Sequence, residues 1–197
     1  MKFKQYLNEK YMPTEWWEKG STITLYHGTT WTTAQRIKKE GLKVLNVKDM
    51  VFDMLKSFGI KDPNSVPDWV TSEISLRKEN RIYLANKKSE AINYAKTVSP
   101  FGGEAGTQTA RKIMKYLGVP EDELYSKLKP KNLELGIVTV DMPWSEAKTY
   151  RSLTQTLLRA KQVYGDKWKK ELSKGSGFEF FTEQPIPKKY IVRIDKI

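Results

Sequence analysis

Apolar and polar residues alternate with period two in five short stretches of the chain, at residues 23–29, 81–86, 135–142, 178–183 and 190–195. β-Branched and aromatic side chains fill these stretches, so each predicts a strand. Elsewhere the spacing of apolar residues turns helical and predicts helices over 33–40, 49–58, 89–98, 109–117 and 121–128. Residues 1–20 read as an N-terminal helical segment, and Pro63 and Pro67 make 43–80 a helical and irregular insert. The run Phe101-Gly102-Gly103-Glu104-Ala105-Gly106 reads as a flexible loop. Helices interrupt the strands without a regular strand–helix alternation. The expected fold is therefore α+β, a single domain over 1–197 with a mixed or antiparallel sheet and flanking helices.

The most informative helical stretch spans 148–174. Tyr150, Leu153, Leu157, Ala160, Tyr164, Trp168 and Leu172 recur every three or four residues and define one buried face. Lys148, Arg159, Lys170 and Lys174 fall on the other side, and Gly165 is placed to break the run in two. Eight Lys/Arg and two acidic residues lie in this window, giving it half of the chain's net charge of +12. A charged helix face is ordinarily a solvated one. The concentration of charge here also fits an acidic protein or a nucleic acid as partner.

Composition narrows the chemistry. At 39% hydrophobic and 12% aromatic residues the chain can build a globular core. With no cysteine, disulfides, thiolate zinc sites and cysteine nucleophiles are excluded, and one histidine excludes a histidine-built metal site. No aspartate cluster marks a carboxylate metal site, so no metal is expected. No apolar run approaches a bilayer span, so no membrane partner is expected. The opening Met1-Lys2-Phe3-Lys4-Gln5-Tyr6-Leu7 lacks the apolar stretch of a signal peptide, which leads to the expectation of a cytoplasmic protein. That opening is similar to short amphipathic leaders of tailed-phage proteins, so the cytoplasm expected is in one version that of a phage's host.

The single histidine, His27, stands in Leu25-Tyr26-His27-Gly28-Thr29-Thr30, at the end of one predicted strand and just before a helix closed by Gly41. A strand ending in histidine and glycine presents an imidazole beside bare backbone amides, which suits a polar ligand. A lone histidine also serves structural roles, so other positions must speak. Arg81-Ile82-Tyr83-Leu84-Ala85 follows, with Ala91 and Tyr94-Ala95 behind it. Last comes Gly177-Phe178-Glu179-Phe180-Phe181, trailed by Pro185-Ile186-Pro187 and Tyr190-Ile191. In this order the elements resemble the ADP-ribosyltransferase superfamily of the histidine–tyrosine–glutamate type, the diphtheria-toxin and poly(ADP-ribose) polymerase branch. The opening and closing motifs are similar to those of small bacterial and phage members.

The resemblance implies a split β-sheet core and a site for NAD. By that resemblance His27 bonds the adenosine-side or nicotinamide-side ribose hydroxyls, and the backbone of Gly28, with Thr29 beside it, receives the nicotinamide carboxamide. Tyr83 stacks on the nicotinamide ring. Glu179 contacts the nicotinamide ribose 2′-hydroxyl and is the catalytic carboxylate. Chemistry supports these residue types independently, because cleaving an N-glycosidic bond develops oxocarbenium charge that a carboxylate stabilises. Alternation sets Glu179 on the strand face opposite Phe178 and Phe180, as on any half-exposed strand, and places Glu183 on the same face as its rival. Glu179 is preferred because its distance to Ile186-Pro187 fits the family pattern. Gly177 stands where the arginine–serine–glutamate branch carries a second carboxylate, which speaks against that branch and its arginine acceptors.

The expected function is mono-ADP-ribosyl transfer from NAD to a macromolecular acceptor, an acidic protein or a nucleic acid, with release of nicotinamide. Residues 170–177 would present that acceptor. An NAD-dependent RNA 2′-phosphotransferase is the second reading, resting on Ile186-Pro187-Lys188-Lys189-Tyr190, but no arginine flanks His27 as that reaction needs. A non-catalytic basic nucleic-acid-binding module is the third.

Overall fold

The fold follows from how far each short strand can satisfy its backbone and bury one face. A computed structural model describes residues 22–71, 81–98, 100–101, 103–147, 149–173 and 180–197. Strand β1 (Thr22–Thr30) runs directly into helix α1 (Trp31–Glu40), where Thr30 Oγ1 accepts from the amide of Thr33 at 3.3 Å and caps the first turn. Helices α2 (Val47–Ser57) and α3 (Asp68–Thr71) precede strand β2 (Ile82–Leu84) and helix α4 (Lys88–Ala95). Helices α5 (Glu104–Tyr116) and α6 (Glu121–Leu128) lead to β3 (Leu135–Pro143). Then come α7 (Trp144–Ala147), α8 (Arg151–Tyr164), α9 (Trp168–Ser173), β4 (Phe180–Thr182) and β5 (Ile191–Lys196).

The protein is α+β, with two small antiparallel sheets and flanking helices. One sheet has the order β1-β3-β5, with His27 opposite Val138 and Gly28 opposite Ile137. The other pairs β2 with β4, setting Tyr83 opposite Phe181. A single bridge between Tyr26 and Ala85 joins them, through backbone bonds of 2.7 and 2.8 Å.

Each sheet face has its own core. Ile23, Leu25, Val138, Val140 and Met142 pack with Ala34 and Ile37 of α1 and Leu153, Leu157 and Ala160 of α8. Ile82, Leu84 and Phe180 join the same cluster from the second sheet. Burying a side chain such as Leu25 or Phe180 contributes about 1.5–3 kcal/mol. On the opposite face α4 lays Ala91 and Ala95 against Ala85 and Ile137. A third cluster gathers Val51 and Leu55 of α2, Val70 of α3, Ile113 and Met114 of α5 and Leu124 of α6. The insert therefore shares its core with helices some fifty residues further along the chain.

One boundary departs from the sequence pattern and another follows it. The run 101–106 does not stay a loop, because α5 begins at Glu104 with Gly103 as its N-cap. Gly106 lies inside the helix, and its bare Cα lets the backbone meet the Phe101 carbonyl, where a Cβ would come within 1.9 Å. The basic helical run does divide at Gly165, whose φ of 56° ends α8. Tyr150, Leu153, Leu157, Ala160 and Trp168 are buried as their spacing predicts. The predicted 1–20 helical segment lies outside the described residues. None of the described helices is long and apolar enough to cross a membrane.

Gly41 closes α1 and is also a contact point. Its φ of 86° and ψ of 174° fall where only glycine is comfortable, and a Cβ there would lie 2.5 Å from the Ile186 carbonyl oxygen. Next to it Leu42 and Ile186 exchange backbone bonds of 2.9 and 2.8 Å. Gly41→Ala is therefore expected to destabilise the protein by at least about 1–3 kcal/mol from backbone strain alone. Urea unfolding measures this, and a loss below about 0.5 kcal/mol, the scatter of ordinary surface changes, contradicts the geometry.

Candidate functional site

Alternation along β1 sends the His27 side chain to the same face as Leu25 and sends Gly28 to the face of α4. The Tyr26–Ala85 bridge fixes which backbone groups point where. Tyr26 directs its N–H and C=O toward β2, so Gly28, two residues on, directs its own the same way. The next antiparallel step would set Gly28 opposite Tyr83. That step is not made. Instead the His27 Nδ1–H donates to the carbonyl oxygen of Tyr83 at 2.9 Å.

The imidazole thus bonds the carbonyl that the Gly28 amide would have met in a continued ladder, and the two strands part beyond the bridge. Gly28 is left with its N–H and C=O facing the gap, with no strand partner there among the described residues. A carbonyl can only accept, so His27 carries its proton on Nδ1 and offers Nε2 as an acceptor. His27 is half-buried, and burial pushes its pKa below the ordinary value near 6.5, with the bond to Tyr83 opposing more weakly. The neutral ring is the form favoured at neutral pH.

Gly28 is constrained from behind as well. A Cβ there would lie 2.0 Å from the Ala91 carbonyl oxygen and 2.8 Å from the Ala95 amide nitrogen. Helix α4 can press on β1 only because position 28 has no side chain and positions 91 and 95 have the smallest. Thr29 follows, buried, on the same strand face as His27.

On β2, Ile82 and Leu84 point into the core, and Tyr83 turns its ring outward at 38% exposure. Its ring centroid lies 6.4 Å from that of Phe181, tilted by 47°. Arg81 sits on the same outer face, its guanidinium carbon 4.1 Å from the Phe181 ring centre. Glu183 meets Arg81 Nε at 3.5 Å, which ties this carboxylate to the β2–β4 face. Glu179, the preferred catalytic carboxylate, lies outside the described residues.

The three sequence elements therefore converge. His27 touches Tyr83, Tyr83 pairs with Phe181, and Leu42 behind the first element bonds Ile186 behind the third. Tyr94, which the sequence pattern names with Ala95 but gives no role, is a further aromatic. It stands on α4 at 48% exposure, beside the Ala95 that presses on Gly28. The usable signal was the pair Ala91 and Ala95, whose size marks a helix held close to a strand.

An open groove of about 570 Å³ lies elsewhere, lined by Val44, Met50, Met54 and Phe101 with Asp49 and Asp53 at its rim. None of His27, Gly28, Thr29 or Tyr83 lines it. Lys43, Asn46 and Ser57 also line the groove, but it takes in none of the three elements that meet at the parted strands. On α8 and α9, Arg159 and Lys170 are exposed, away from buried Leu153, Leu157 and Ala160, whereas Lys148 and Lys174 lie outside the described residues. No protein-family model, curated protein or solved structure matches this chain.

The depressed pKa of His27 has a measurable consequence. The folded state resists protonating this ring, so its contribution is present above the unfolded value near 6.5 and is lost as pH falls through the lower folded value. Acidification from pH 7.5 to 5 should lower the Tm of the parent protein more than that of His27→Gln. Parallel Tm profiles for the two would show that His27 is not held neutral.

Proposed function

We propose that this protein is an NAD-dependent mono-ADP-ribosyltransferase that moves ADP-ribose to a macromolecular acceptor and releases nicotinamide. The observation that carries this reading is the parting of β1 from β2 at the His27–Tyr83 bond. It leaves one backbone donor and one acceptor side by side on Gly28, the complement of a carboxamide, which has one acceptor and one donor of its own. Tyr83 supplies an exposed aromatic face for the flat nicotinamide ring. His27 Nε2 is an acceptor for a ribose hydroxyl, and Thr29 extends the same strand beyond it. In this proposal the sheets split between β1 and β2 correspond to the ADP-ribosyltransferase core.

The chemistry assigned to Glu179 is electrostatic. The bond from the ribose C1′ to nicotinamide breaks, with the electron pair leaving on the nicotinamide nitrogen. Positive charge develops on the ribose, and a carboxylate at the 2′-hydroxyl stabilises it where it appears. The acceptor's nucleophilic atom then bonds C1′ and gives up its proton. Neither a metal nor a thiol is required. The basic residues along 148–174 favour a nucleic acid or an acidic protein as acceptor, delivered past residues 170–177.

Incubation with radiolabelled NAD, oligonucleotides and a cell lysate tests this. Nicotinamide release with label on a macromolecule is expected, and Glu179→Gln should lower kcat by about a hundredfold or more while NAD still binds. If Glu183→Gln abolishes turnover instead, the carboxylate assignment passes to Glu183. Removal of a 2′-phosphate from RNA at the expense of NAD would favour the phosphotransferase. Salt-sensitive nucleic-acid binding with neither label transfer nor nicotinamide release would leave a binding module and end the enzyme reading.

A further inference from the structure

The outer face of the β2–β4 ladder gathers Arg81, Phe181 and Glu183 around Tyr83. Tyr83 stands opposite Phe181, and just beyond the last pair of the ladder, Ile82 with Thr182, Arg81 meets Glu183. The guanidinium reaches diagonally across the ladder. Its carbon lies 4.1 Å from the Phe181 ring centre while its Nε faces Glu183 at 3.5 Å. Phe181 in turn flanks the Tyr83 ring at 6.4 Å. The side chain of Arg81 is 28% exposed, so its charge is partly withdrawn from water and its attraction to the ring is strengthened accordingly.

Tyr83 is flanked, among the described residues, by the ring of Phe181. Its neighbours Ile82 and Leu84 point to the opposite face, and its backbone carbonyl is already engaged by His27. The strand is three residues long, and short paired strands are marginal without side-chain support. We propose that Arg81 is a positioning residue that, clamped between Phe181 and Glu183, fixes the Tyr83 ring as a platform for the ligand. Glu183 then acts through Arg81 and does not meet the reacting atoms. This rests on the reading of Tyr83 as the surface that receives nicotinamide.

A positioned platform acts mainly on binding, so its loss raises KM and spares kcat. Arg81→Gln should raise the KM for NAD about three- to tenfold, with kcat within about twofold, the scale of one cation–π contact. The same substitution in a Tyr83→Ala background should change KM little, because the platform it positions is gone. A role in general stability predicts equal effects in both backgrounds. A KM unmoved by Arg81→Gln, or moved equally in both, overturns the proposal.

A readout independent of turnover separates this from the function itself. In protein labelled with 3-fluorotyrosine, the Tyr83 resonance is the one missing from Tyr83→Phe. Arg81→Gln should shift or broaden it, and Glu183→Gln should do so to a smaller degree while serving as the milder variant if Arg81→Gln folds poorly. An unchanged Tyr83 resonance in the folded variant overturns the positioning role. A shifted resonance in a protein that neither binds nor cleaves NAD keeps the clamp and rejects the reading of the site.

Discussion

The hydrogen bond from His27 to the Tyr83 carbonyl decides where one sheet becomes two. An antiparallel ladder that has formed the Tyr26–Ala85 bridge would ordinarily continue, since every further step satisfies two more backbone groups. Here the side chain of β1 occupies the acceptor the next step requires. The ladder stops, and the backbone of Gly28 is left facing a gap. A group buried without a partner costs about 1–3 kcal/mol, so such an edge is stable only where water or a ligand can reach it. An edge of this kind is suited to binding.

Packing on both sides keeps the strands from closing the gap in another way. On one face α4 rests directly on Gly28, with the Ala91 carbonyl and the Ala95 amide where a Cβ would stand. On the other, Leu25, Val138 and Val140 are locked against α1 and α8. A one-residue slip of β1 would carry Leu25 out of that core and His27 away from Tyr83. The site is therefore held by the same apolar contacts that stabilise the fold. Burial also holds the pKa of its imidazole below the ordinary value, which favours the neutral ring and an acceptor at Nε2.

Much of the local structure was legible in the chain. Alternation located the five strands to within a few residues, and the stripe from Tyr150 to Trp168 foretold the buried face of α8 and the break at Gly165. These are properties of nearest neighbours and of burial on one face, which sequence records directly. The start of α5 was not legible. Its glycines signal a loop, whereas in the fold Gly106 lies within the helix against the Phe101 carbonyl and α5 packs Ala110, Ile113 and Met114 into a core. The exposure of Tyr94 was not legible either, since nothing along α4 says which flank of the helix turns to solvent.

By itself, the sequence determined the α+β class, the order of the elements and the chemistry available to them: one imidazole, no thiol, and a basic excess weighted toward one helix. It could present His27, Tyr83 and Ile186 as members of one pattern, but with no distance between them. The tertiary structure decided that the Tyr83 carbonyl, 56 residues away in the chain, is the partner of His27. It also decided that Arg81 and Glu183 meet at the end of the β2–β4 ladder. Hydrophobic periodicity is a local quantity and survives in the sequence. The register between distant strands is set by which partners fill each other's hydrogen bonds and cores, and that exists only once the chain has folded.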